Sequence, residues 1–333
     1  MILLFTFLSS FVATYFLTKS KILDVPVHRS SHKNPTPRVG GIALLIGFFV
    51  YFLLSLKSFS FDLKTIFTLI ALLSVAGVGL IDDVLKGVSY KIRLAVQVFS
   101  ACLLIASFGP IPFLKETLIS FAGELSTFYI TSFFTVVLIV FQINALNFCD
   151  GFNGQLAGSL LVACLGLHFN DLNPLGMVDA LSLSLLGFLC FNVFGKIFLG
   201  DVGSTFLGIF FATITLYGAQ ISSTPVRTWF GLNAILAFLW ADVVLTLFKR
   251  LLIKARMTDP RRDYLSHILN LKGLRHRHIA LIYSGMTLMC AISLIDVIKD
   301  DASFWKWVFS FCLIFLSFSG YVYKSALDKN INI

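Results

Sequence analysis

Residues 133–154 read FFTVVLIVFQINALNFCDGFNG, an apolar run that ends in a short polar turn. The apolar part is typical of a membrane helix, and Asn144 and Asn147 share one of its faces because they lie three residues apart. Asp150 and Gly151 follow, and glycine lets a ligand approach the backbone closely. A second apolar helix begins just after the turn, and its first N–H groups can bind an anion. An ordinary connecting loop is the alternative for this stretch taken alone, but its side chains suit a polar, phosphorylated ligand at a membrane edge.

The composition of the whole chain is that of a membrane protein. Of its 333 residues 57% are hydrophobic and only 13% are charged, with a mean hydropathy of +0.89. Soluble domains carry about 25% charged residues, so the deficit predicts that most of the chain lies in a lipid bilayer. The six cysteines lie in apolar runs without a Cys-x-x-Cys pair, which predicts buried thiols and neither a disulfide framework nor a zinc site. They are Cys102, Cys149, Cys164, Cys190, Cys290 and Cys312.

Apolar runs of about 15–20 residues, close to the length that crosses a bilayer as a helix, recur along the chain. They predict an all-α integral membrane protein, one polytopic domain over residues 1–333 with about eleven transmembrane helices. The predicted spans are 1–18, 40–56, 65–81, 92–109, 128–146, 155–169, 177–194, 205–221, 229–248, 279–298 and 304–323. The sequence has no convincing internal repeat, which weakens an inverted-repeat transporter.

Basic residues set the predicted orientation of these spans. The formal net charge is +9, and twenty of the 26 lysines and arginines fall in alternate connections, at 19–39, 82–93, 195–204, 249–278 and 324–333. The positive-inside rule makes these connections cytoplasmic, which places the N-terminus outside and the C-terminus inside. Membrane topology thus explains the charge, and no nucleic-acid partner is predicted. The connection 249–278 is large enough for a small cytoplasmic lobe, and the first span has the features of a retained anchor.

A cationic loop precedes the second predicted span. Residues 24–41 read DVPVHRSSHKNPTPRVGG, and the prolines stiffen this backbone. The side chains of Arg29, His32, Lys33 and Arg38 predict a phosphate-binding loop, because cationic donors form strong hydrogen bonds with phosphate. A loop whose charge only sets the topology is the alternative.

Two acidic motifs lie at the inner ends of predicted spans. Asp82 and Asp83 end the third span, where carboxylates meet the unfavourable end of the helix dipole and a cation would offset the charge. Adjacent helical positions project about 100° apart, so we expect one carboxylate to face a metal and the other a reacting group. Asp201 lies between glycines at the start of the eighth span, with Ser204 close behind, a pattern that can hold Mg²⁺ and phosphate together. Solvated acids and a plain helix cap are the alternatives.

The remaining polar residues are less specific. Asp242 lies within the ninth span, where an unpaired charge costs on the order of 3 kcal/mol, so we expect either a structural partner such as an inner-loop arginine or a direct role. His267 lies in the longest basic loop, where a lone histidine is more often solvated than functional. Acidic motifs beside two basic loops together predict Mg²⁺-dependent phosphoryl transfer at the inner membrane surface. The sequence has no Gly-x-x-x-x-Gly-Lys-Ser/Thr loop, which argues against a P-loop ATPase.

Four motifs in order resemble the polyprenyl-phosphate N-acetylhexosamine-1-phosphate transferases, known in an older naming as glycosyltransferase family 4. The resemblance runs from Asp24 to about His278, which is most of the chain. The stretches HRSSH at 28–32 and PTPRVGG at 35–41 are most similar to the branch that initiates O-antigen. The stretches WAD at 240–242 and TLFKR at 246–250 are also similar to that branch.

This resemblance implies a reaction, its cofactor and its location. A UDP-N-acetylhexosamine or a 6-deoxy relative reacts with undecaprenyl phosphate to give a lipid diphosphate-sugar and UMP, with Mg²⁺ or Mn²⁺ as cofactor. The product would start a lipid-linked surface glycan such as the O-antigen of lipopolysaccharide. The enzyme would lie in the bacterial inner membrane with its active site facing the cytoplasm. Which sugar it takes, which polymer it serves and whether it forms a homodimer stay open.

The resemblance also implies roles for individual residues. The implied catalytic residues are Asp82, Asp83 and Asp150. The implied metal ligands are Asp201 and Asp83. Nucleotide-sugar binding is implied for Asn144, Asn147, Asn153, Arg262 and His267. The phosphate ligands predicted from the charge of the loop and the start of the eighth span are Arg29, His32, Lys33, Arg38 and Ser204. Direct attack by the lipid phosphate with Asp82 as base is favoured over a phospho-aspartate intermediate.

Two departures from the family pattern keep other functions open. Asn153 stands where the family has a second aspartate, and Tyr264 and Ser266 stand where histidines are common. The lost charge at Asn153 weakens a metal or base role there. A changed sugar pocket and a catalytically inactive lipid-phosphate-binding homologue are therefore alternatives. An anionic-solute transporter that uses the same basic loops and acidic positions is a further one. A transporter would place ionisable groups near the bilayer midplane, whereas here they gather at one interface.

Overall fold

The computed structural model describes residues 1–26, 34–58, 61–112, 115–170, 172–173, 176–255, 263–293 and 301–327, apart from the side chains of residues 115–122, 301, 302, 304, 326 and 327. Within these residues the chain folds into α-helices, one 3-10 turn and two very short strands, so the predicted all-α class is confirmed. The helices are α1 (Ile2–Leu17), α2 (Gly40–Leu54), α3 (Leu63–Leu85), α4 (Tyr90–Phe108), α5 (Lys115–Phe148), α6 (Gln155–Phe169), α7 (Met177–Asn192), α8 (Gly200–Ile221), α9 (Pro225–Ala234), α10 (Ala237–Leu252), α11 (Leu265–Leu271), α12 (His276–Ile292) and α13 (Asp301–Leu327).

The lengths of these helices define a multi-pass membrane protein. Five are long and apolar enough to cross a bilayer, namely α3, α4, α8, α5 from Gly123 onward, and residues 305–325 of α13. Helices α9 and α10 form a sixth candidate that is bent by 75° at the break between them, and α1, α2, α6 and α7 are shorter apolar helices. Each predicted span overlaps at least one helix, but several helices are too short to cross unaided. The number of eleven crossings and the orientation of the termini therefore stay predictions.

Helix α8 lies at the centre of the bundle. In its apolar window 94% of the residues are buried, against 17% to 39% in the other four long candidate spans. Glycines allow the neighbouring helices to approach it closely. A Cβ on Gly41 of α2 would lie 2.3 Å from the amide nitrogen of Gly203, and one on Gly208 would lie 2.6 Å from the Cα of Ile143 in α5. Small residues at such contacts let membrane helices pack through their backbones, which holds the start of α8 firmly among its neighbours.

A tight turn joins α3 to α4. Helix α3 begins at Asp62, whose Oδ1 accepts a hydrogen bond of 2.9 Å from the amide of Thr65. It ends at Lys86, which has a left-handed backbone (φ 52°) and donates its amide to the carbonyl of Asp82 at 2.8 Å. Ser89 then begins α4. The C-terminal turn of α3 therefore lies beside the N-terminal turn of α4.

The end of the cationic loop is fastened to the segment before α8. Strands β1 (Leu23–Asp24) and β2 (Thr36–Pro37) pair antiparallel. The amide of Phe198 donates to the carbonyl of Pro37 at 2.7 Å, and the amide of Gly40 donates to the carbonyl of Phe198 at 2.9 Å. Arg38 follows directly after β2. The predicted phosphate ligands Arg29, His32 and Lys33 lie outside the described residues.

The connection 249–278 contains α11 and is anchored by a buried ion pair. Arg250 Nε and Nη2 donate to the two carboxylate oxygens of Asp263 at 2.8 and 2.7 Å. The hydroxyl of Tyr323 in α13 donates to the carbonyl of Asp263 at 3.2 Å. The last helix thus holds this connection against the bundle. Arg262, which the family resemblance assigned to the nucleotide-sugar, lies outside the described residues.

Candidate active site

Asp83 joins α3 to the start of α8. Its side chain is fully buried, and its Oδ1 and Oδ2 accept hydrogen bonds from the backbone amides of Asp201 at 3.0 Å and Val202 at 2.9 Å. These are two of the N–H groups that a helix start leaves without an intrahelical partner, and the carboxylate also meets the positive end of the α8 dipole. Asp83 therefore fixes the position of Asp201.

Arg38 completes the environment of Asp83. Its Nε and Nη2 lie 2.9 and 2.7 Å from Asp83 Oδ1, and its Nη2 lies 3.9 Å from Asp201 Oδ1. Burial opposes the charge of Arg38, but the Asp83 carboxylate raises the pKa of the guanidinium, so Arg38 stays charged. With its charge matched and both oxygens engaged out of solvent, Asp83 does not fit the predicted role of metal ligand in this arrangement.

Asp82 faces a different set of groups, as the helical spacing predicted. Its Oδ1 accepts the amide of Val88 at 2.8 Å, in the turn between α3 and α4. Its Oδ2 lies 3.2 Å from Arg93 Nη1, and the same nitrogen lies 3.2 Å from Asp201 Oδ2. The carboxyl groups of Asp82 and Asp201 are also within hydrogen-bonding reach of each other. Two carboxylates from distant parts of the chain therefore share one space beside one guanidinium.

Gly200 is required where these groups meet. Its backbone has φ +75°, in the left-handed region that favours glycine. A Cβ at this position would lie 2.1 Å from the carbonyl oxygen of Arg38 and 2.5 Å from Asp83 Oδ2. No larger residue fits without moving the Asp83 carboxylate away from the amides that it caps.

The two asparagines of the opening motif connect α5 to its neighbours. Asn144 Nδ2 donates to Gln97 Oε1 in α4 at 2.7 Å. Asn147 Oδ1 accepts the hydroxyl of Ser204 in α8 at 2.7 Å. Ser204 is fully buried, so in this arrangement its hydroxyl binds Asn147 and does not reach a phosphate. These contacts give the asparagines a clear task in holding α4, α5 and α8 together around the carboxylates.

Asp150 lies in the turn between α5 and α6 with a half-buried side chain. Burial, and then the charges of Asp201 and Asp83, raise its pKa to about 8. The group is therefore largely protonated at pH 7 and can donate a hydrogen bond. The same turn is held in place at Gly154, whose amide donates to Asn192 Oδ1 at 2.7 Å.

Helix α11 brings His267 to this turn. The His267 ring centroid lies 5.1 Å from that of Phe152, and a Cβ on Gly151 would lie 3.4 Å from His267 Cε1. The ring of Tyr264 lies 5.8 Å from that of His267, and burial raises the pKa of the tyrosine so that its hydroxyl stays protonated. The structure therefore places His267, more than a hundred residues later in the chain, beside the Asp150 turn.

A polar cavity of about 540 Å³ opens beside the same turn. It collects Asn153 from that turn, Gly195 and Phe198 from the segment before α8, and Arg275 and His276 from the start of α12. The ring of His276 lies 4.9 Å from that of Phe152, which lies between this cavity and His267. Asn153, which was predicted to bind the nucleotide-sugar, thus lines this cavity.

Sequence reasoning did not single out Arg93, Gln97 or the partners of Asp242. Arg93 is one of the basic residues of segment 82–93 that set the predicted orientation, and a cation in the helical turn that follows an aspartate pair is a signal for a counter-ion. Asp242 is buried, and it accepts hydrogen bonds from the amide of Leu265 at 2.9 Å and from the hydroxyl of Tyr283. Asp242 therefore has the structural partner that was one of its two expected roles, but this partner is Tyr283 and not an inner-loop arginine, and Asp242 caps the start of α11.

The geometry can be compared with what a divalent cation needs. In the described parts of the chain, no group of three or more His, Cys, Asp or Glu side chains forms a complete metal site. Mg²⁺ needs less than that, because it usually keeps several waters and takes one or two carboxylates plus substrate phosphates. Asp82 and Asp201 fit this requirement, since their side chains are 13% and 21% exposed and their carboxyl groups adjoin. Asp83 does not fit it.

Comparison with known proteins places this geometry in a family. The sequence model of glycosyl transferase family 4 matches residues 65–219, which include Asp82, Asp83, Asp150 and Asp201. The chain is 29% identical over 299 residues to the "Probable undecaprenyl-phosphate N-acetylglucosaminyl 1-phosphate transferase" of Bacillus subtilis, covering 86% of this chain and 80% of the relative. It is 26% identical to the undecaprenyl-phosphate alpha-N-acetylglucosaminyl 1-phosphate transferase of Thermotoga maritima, covering 84% and 82% of the two chains. It is 27% identical to the same-named protein of Escherichia coli K12, and this match covers 98% of this chain and 90% of the relative.

The apolar helices and this match over residues 65–219 together indicate an integral membrane protein similar to the glycosyl transferases of family 4. Within that class, the named relatives support the polyprenyl-phosphate N-acetylhexosamine-1-phosphate transferase family and a sugar-1-phosphate transferase. The resemblance inferred from the motifs is confirmed.

Proposed function

We propose that this enzyme transfers N-acetylhexosamine-1-phosphate from a UDP-sugar to undecaprenyl phosphate at the cytoplasmic face of the bacterial inner membrane. An oxygen of the lipid phosphate attacks the phosphorus next to the sugar. A new P–O bond forms, the bond to the nucleotide phosphate breaks, and UMP leaves. The lipid diphosphate-sugar product then starts a surface glycan of the O-antigen type, a proposal that rests on the resemblance of residues 28–41 and 240–250 to that branch.

The observation that carries this proposal is the convergence of Asp82, Asp83 and Asp201 with Arg38 and Arg93 at one end of the bundle. These groups come from separate parts of the chain, since 118 residues separate Asp83 from Asp201. Such a site suits a reaction between two phosphate anions. The carboxylates can hold a divalent cation, and this cation and the guanidinium groups can neutralise the negative charge of the two phosphates. The charges of Asp201, Asp83 and Arg38 act on Asp150, so the Asp150 turn lies near this centre, and Asn153 of the same turn lines the cavity.

Asp82 and Asp201 are the residues that would hold Mg²⁺, with substrate oxygens and water as the other ligands. The ion would screen the repulsion between two anionic substrates and favour departure of the nucleotide phosphate. This assignment replaces Asp83 by Asp82 as the partner of Asp201. It also makes the expected base role of Asp82 unnecessary, because a phosphate monoester with a second pKa of about 6 is already largely a dianion at pH 7.

The chain's own residues supply the rest of the proposed chemistry. Arg38 and Asp83 keep the start of α8 fixed, which preserves the position of Asp201. A protonated Asp150 can donate a hydrogen bond to an anionic diphosphate without adding negative charge. The cavity beside Asn153, lined by Arg275 and His276, is of a size to take part of the nucleotide-sugar. Asn153 offers both a donor and an acceptor there, and it carries no charge that would repel the substrate.

The direct test is UMP release by the full chain purified in detergent. Undecaprenyl phosphate is supplied with a panel of UDP-sugars that includes UDP-GlcNAc, UDP-GalNAc and their 6-deoxy relatives, with Mg²⁺ or with EDTA. We expect UMP release that requires the lipid phosphate, one of the N-acetylated sugars and the divalent ion. Asp201→Asn should abolish it. If the wild-type protein releases no UMP from any of these donors, the proposed reaction is wrong.

A further inference from the structure

Arg93 and Arg38 both neutralise the aspartate centre, but they do so in different ways. Arg38 binds Asp83 through two nitrogens at 2.7 and 2.9 Å, against a carboxylate that is fully buried. Arg93 uses the single nitrogen Nη1 for both of its carboxylate contacts, each at 3.2 Å, and its side chain is 36% exposed. Its Nε and Nη2 make no hydrogen bond to any residue that the structure describes. The Arg38 contact is therefore fixed, and the Arg93 contact is weak and open to solvent.

The carboxylates that Arg93 contacts are the two that fit a divalent cation. Arg93 Nη1 lies at the same distance from Asp82 Oδ2 and from Asp201 Oδ2. A cation that binds this pair takes up the same oxygen lone pairs, and it repels the guanidinium. Arg93 and the metal therefore compete for one pair of oxygens.

The balance of charge at the aspartate centre supports replacement of Arg93 by a divalent cation. Three carboxylates against two guanidinium groups leave one net negative charge when all are ionised, and this charge would repel a phosphate. A divalent cation reverses the sign, and a released Arg93 then has no carboxylate to neutralise. Its position on the first turn of α4 keeps it at the edge of the centre, where its long side chain can reach the nearest phosphate oxygens. A guanidinium suits that ligand, because its fork donates two parallel hydrogen bonds to phosphate.

We propose that Arg93 is an exchangeable counter-ion, which pairs Asp82 with Asp201 in the metal-free protein and moves to a substrate phosphate when a divalent cation takes the two carboxylates. This inference rests on the proposed function for the identity of the phosphate substrates. It adds a phosphate-binding residue to the reaction and a reason for ordered binding, with the metal before the lipid phosphate.

Two binding measurements on the full chain in detergent test the exchange, and neither depends on turnover. The first titrates metal-free protein with Mn²⁺ and follows the free ion by electron paramagnetic resonance. The second measures binding of undecaprenyl phosphate at saturating Mg²⁺ without nucleotide-sugar. We expect Arg93→Gln to bind Mn²⁺ about tenfold more tightly, because a competitor is removed, and to bind the lipid phosphate about tenfold more weakly. Arg93→Lys keeps the charge but loses the two parallel donors of the guanidinium. Its affinity for the lipid phosphate should therefore lie between that of wild type and that of Arg93→Gln.

Lys91→Gln is the matched control, since it removes one positive charge from the same exposed helical turn. It should change both affinities less than twofold. The opposite signs of the two effects separate an exchange from a general loss of structure, which would weaken both. If Arg93→Gln binds Mn²⁺ no more tightly than wild type, Arg93 does not compete with the metal for the two carboxylates. If its affinity for the lipid phosphate is unchanged, Arg93 does not move to the substrate phosphate. Failure of wild-type UMP release would refute the proposed reaction and leave the Mn²⁺ titration to decide the exchange by itself.

Discussion

The carboxylate of Asp83 lies 3.0 Å from the backbone nitrogen of Asp201 and caps the helix on which Asp201 stands. This contact divides the work of the aspartate pair. Asp83 holds the architecture of the centre, and Asp82 is left to share the space in front of Asp201. The consequence is that equal substitutions at the two adjacent positions should have different effects.

Asp83→Asn should lower both stability and activity. It removes the charge of a fully buried carboxylate that pairs with Arg38, and because the Arg38 side chain is 23% exposed the cost should lie below the roughly 3–5 kcal/mol of a fully buried pair. We expect a lower midpoint of thermal unfolding in detergent and loss of UMP release. Asp82→Asn should also lose UMP release but should keep the wild-type midpoint, because Asp82 is partly exposed and caps no helix. Equal thermal midpoints for Asp83→Asn and wild type would contradict the architectural role of Asp83.

Gly200→Ala should disturb the centre through a single methyl group. The left-handed backbone alone costs about 1–2 kcal/mol, and the added Cβ also strikes Asp83 Oδ2 and the Arg38 carbonyl. We expect at least a tenfold loss of UMP release and a lower unfolding midpoint. Gly109→Ala is the control, since Gly109 has φ +77° and nothing lies within 4 Å of its added Cβ. If both variants lose the same fraction of UMP release, the left-handed backbone alone explains the loss, and the contact of the added Cβ with Asp83 contributes nothing.

Asp150 should make the stability of the protein depend on pH. A carboxyl group whose folded-state pKa is raised binds its proton more tightly when folded, so its stabilising effect is full below about pH 4 and is lost as pH rises to about 8. The unfolding midpoint of wild type should therefore fall across this range more than that of Asp150→Asn. Asp62→Asn is the control of opposite sign, because hydrogen bonds from Thr65 lower the pKa of Asp62. The difference in unfolding midpoint between Asp62→Asn and wild type should vanish at acid pH. Parallel plots of unfolding midpoint against pH for Asp150→Asn and wild type would exclude the raised pKa of Asp150.

Asp242 should act on the reaction only through α11. Tyr283→Phe removes a donor to a buried carboxylate, which costs about 1–3 kcal/mol, and Asp242→Asn weakens the cap at Leu265. Both should displace His267 and reduce UMP release. In a double-mutant cycle with His267→Ala, the losses should be strongly non-additive, since the groups act in one unit. Additive losses would show that Asp242 affects the reaction independently of His267.

The predicted orientation can be tested with single cysteines introduced into a variant that lacks the six native ones. Lys91→Cys and Lys272→Cys lie in predicted inner connections, and Lys57→Cys lies in a predicted outer one. A membrane-impermeant thiol reagent should label position 57 in intact cells and the other two only after lysis. Labelling of position 91 or 272 in intact cells would reverse the topology and move the candidate site outside.

Hydropathy and local motifs are the features of the sequence that predicted the helices and the polar residues of the site. Apolar runs located the helices, because a chain in lipid must satisfy its backbone hydrogen bonds within each segment. The helical angle between adjacent residues also predicted that Asp82 and Asp83 would face different groups. The same reasoning could not choose their partners, and it was the family resemblance that implied Asp83 as a metal ligand. That choice depends on whether α8 packs on one side of α3 or the other, and no local pattern records it.

What the sequence by itself determined is the class of the protein and the set of polar residues from which its site is built, since both follow from composition and spacing along one helix at a time. Only the tertiary structure decided the partners within that set. Asp83 meets α8 and Arg38, Asp82 and Asp201 share Arg93, and Asp242 meets Tyr283 and α11. These contacts join segments from 11 to 118 residues apart, and the close packing of α3 and α4 around the buried helix α8 brings most of them together. Hydrogen bonds act over about 3 Å, so their pattern is set by how helices pack and not by the order of residues along the chain.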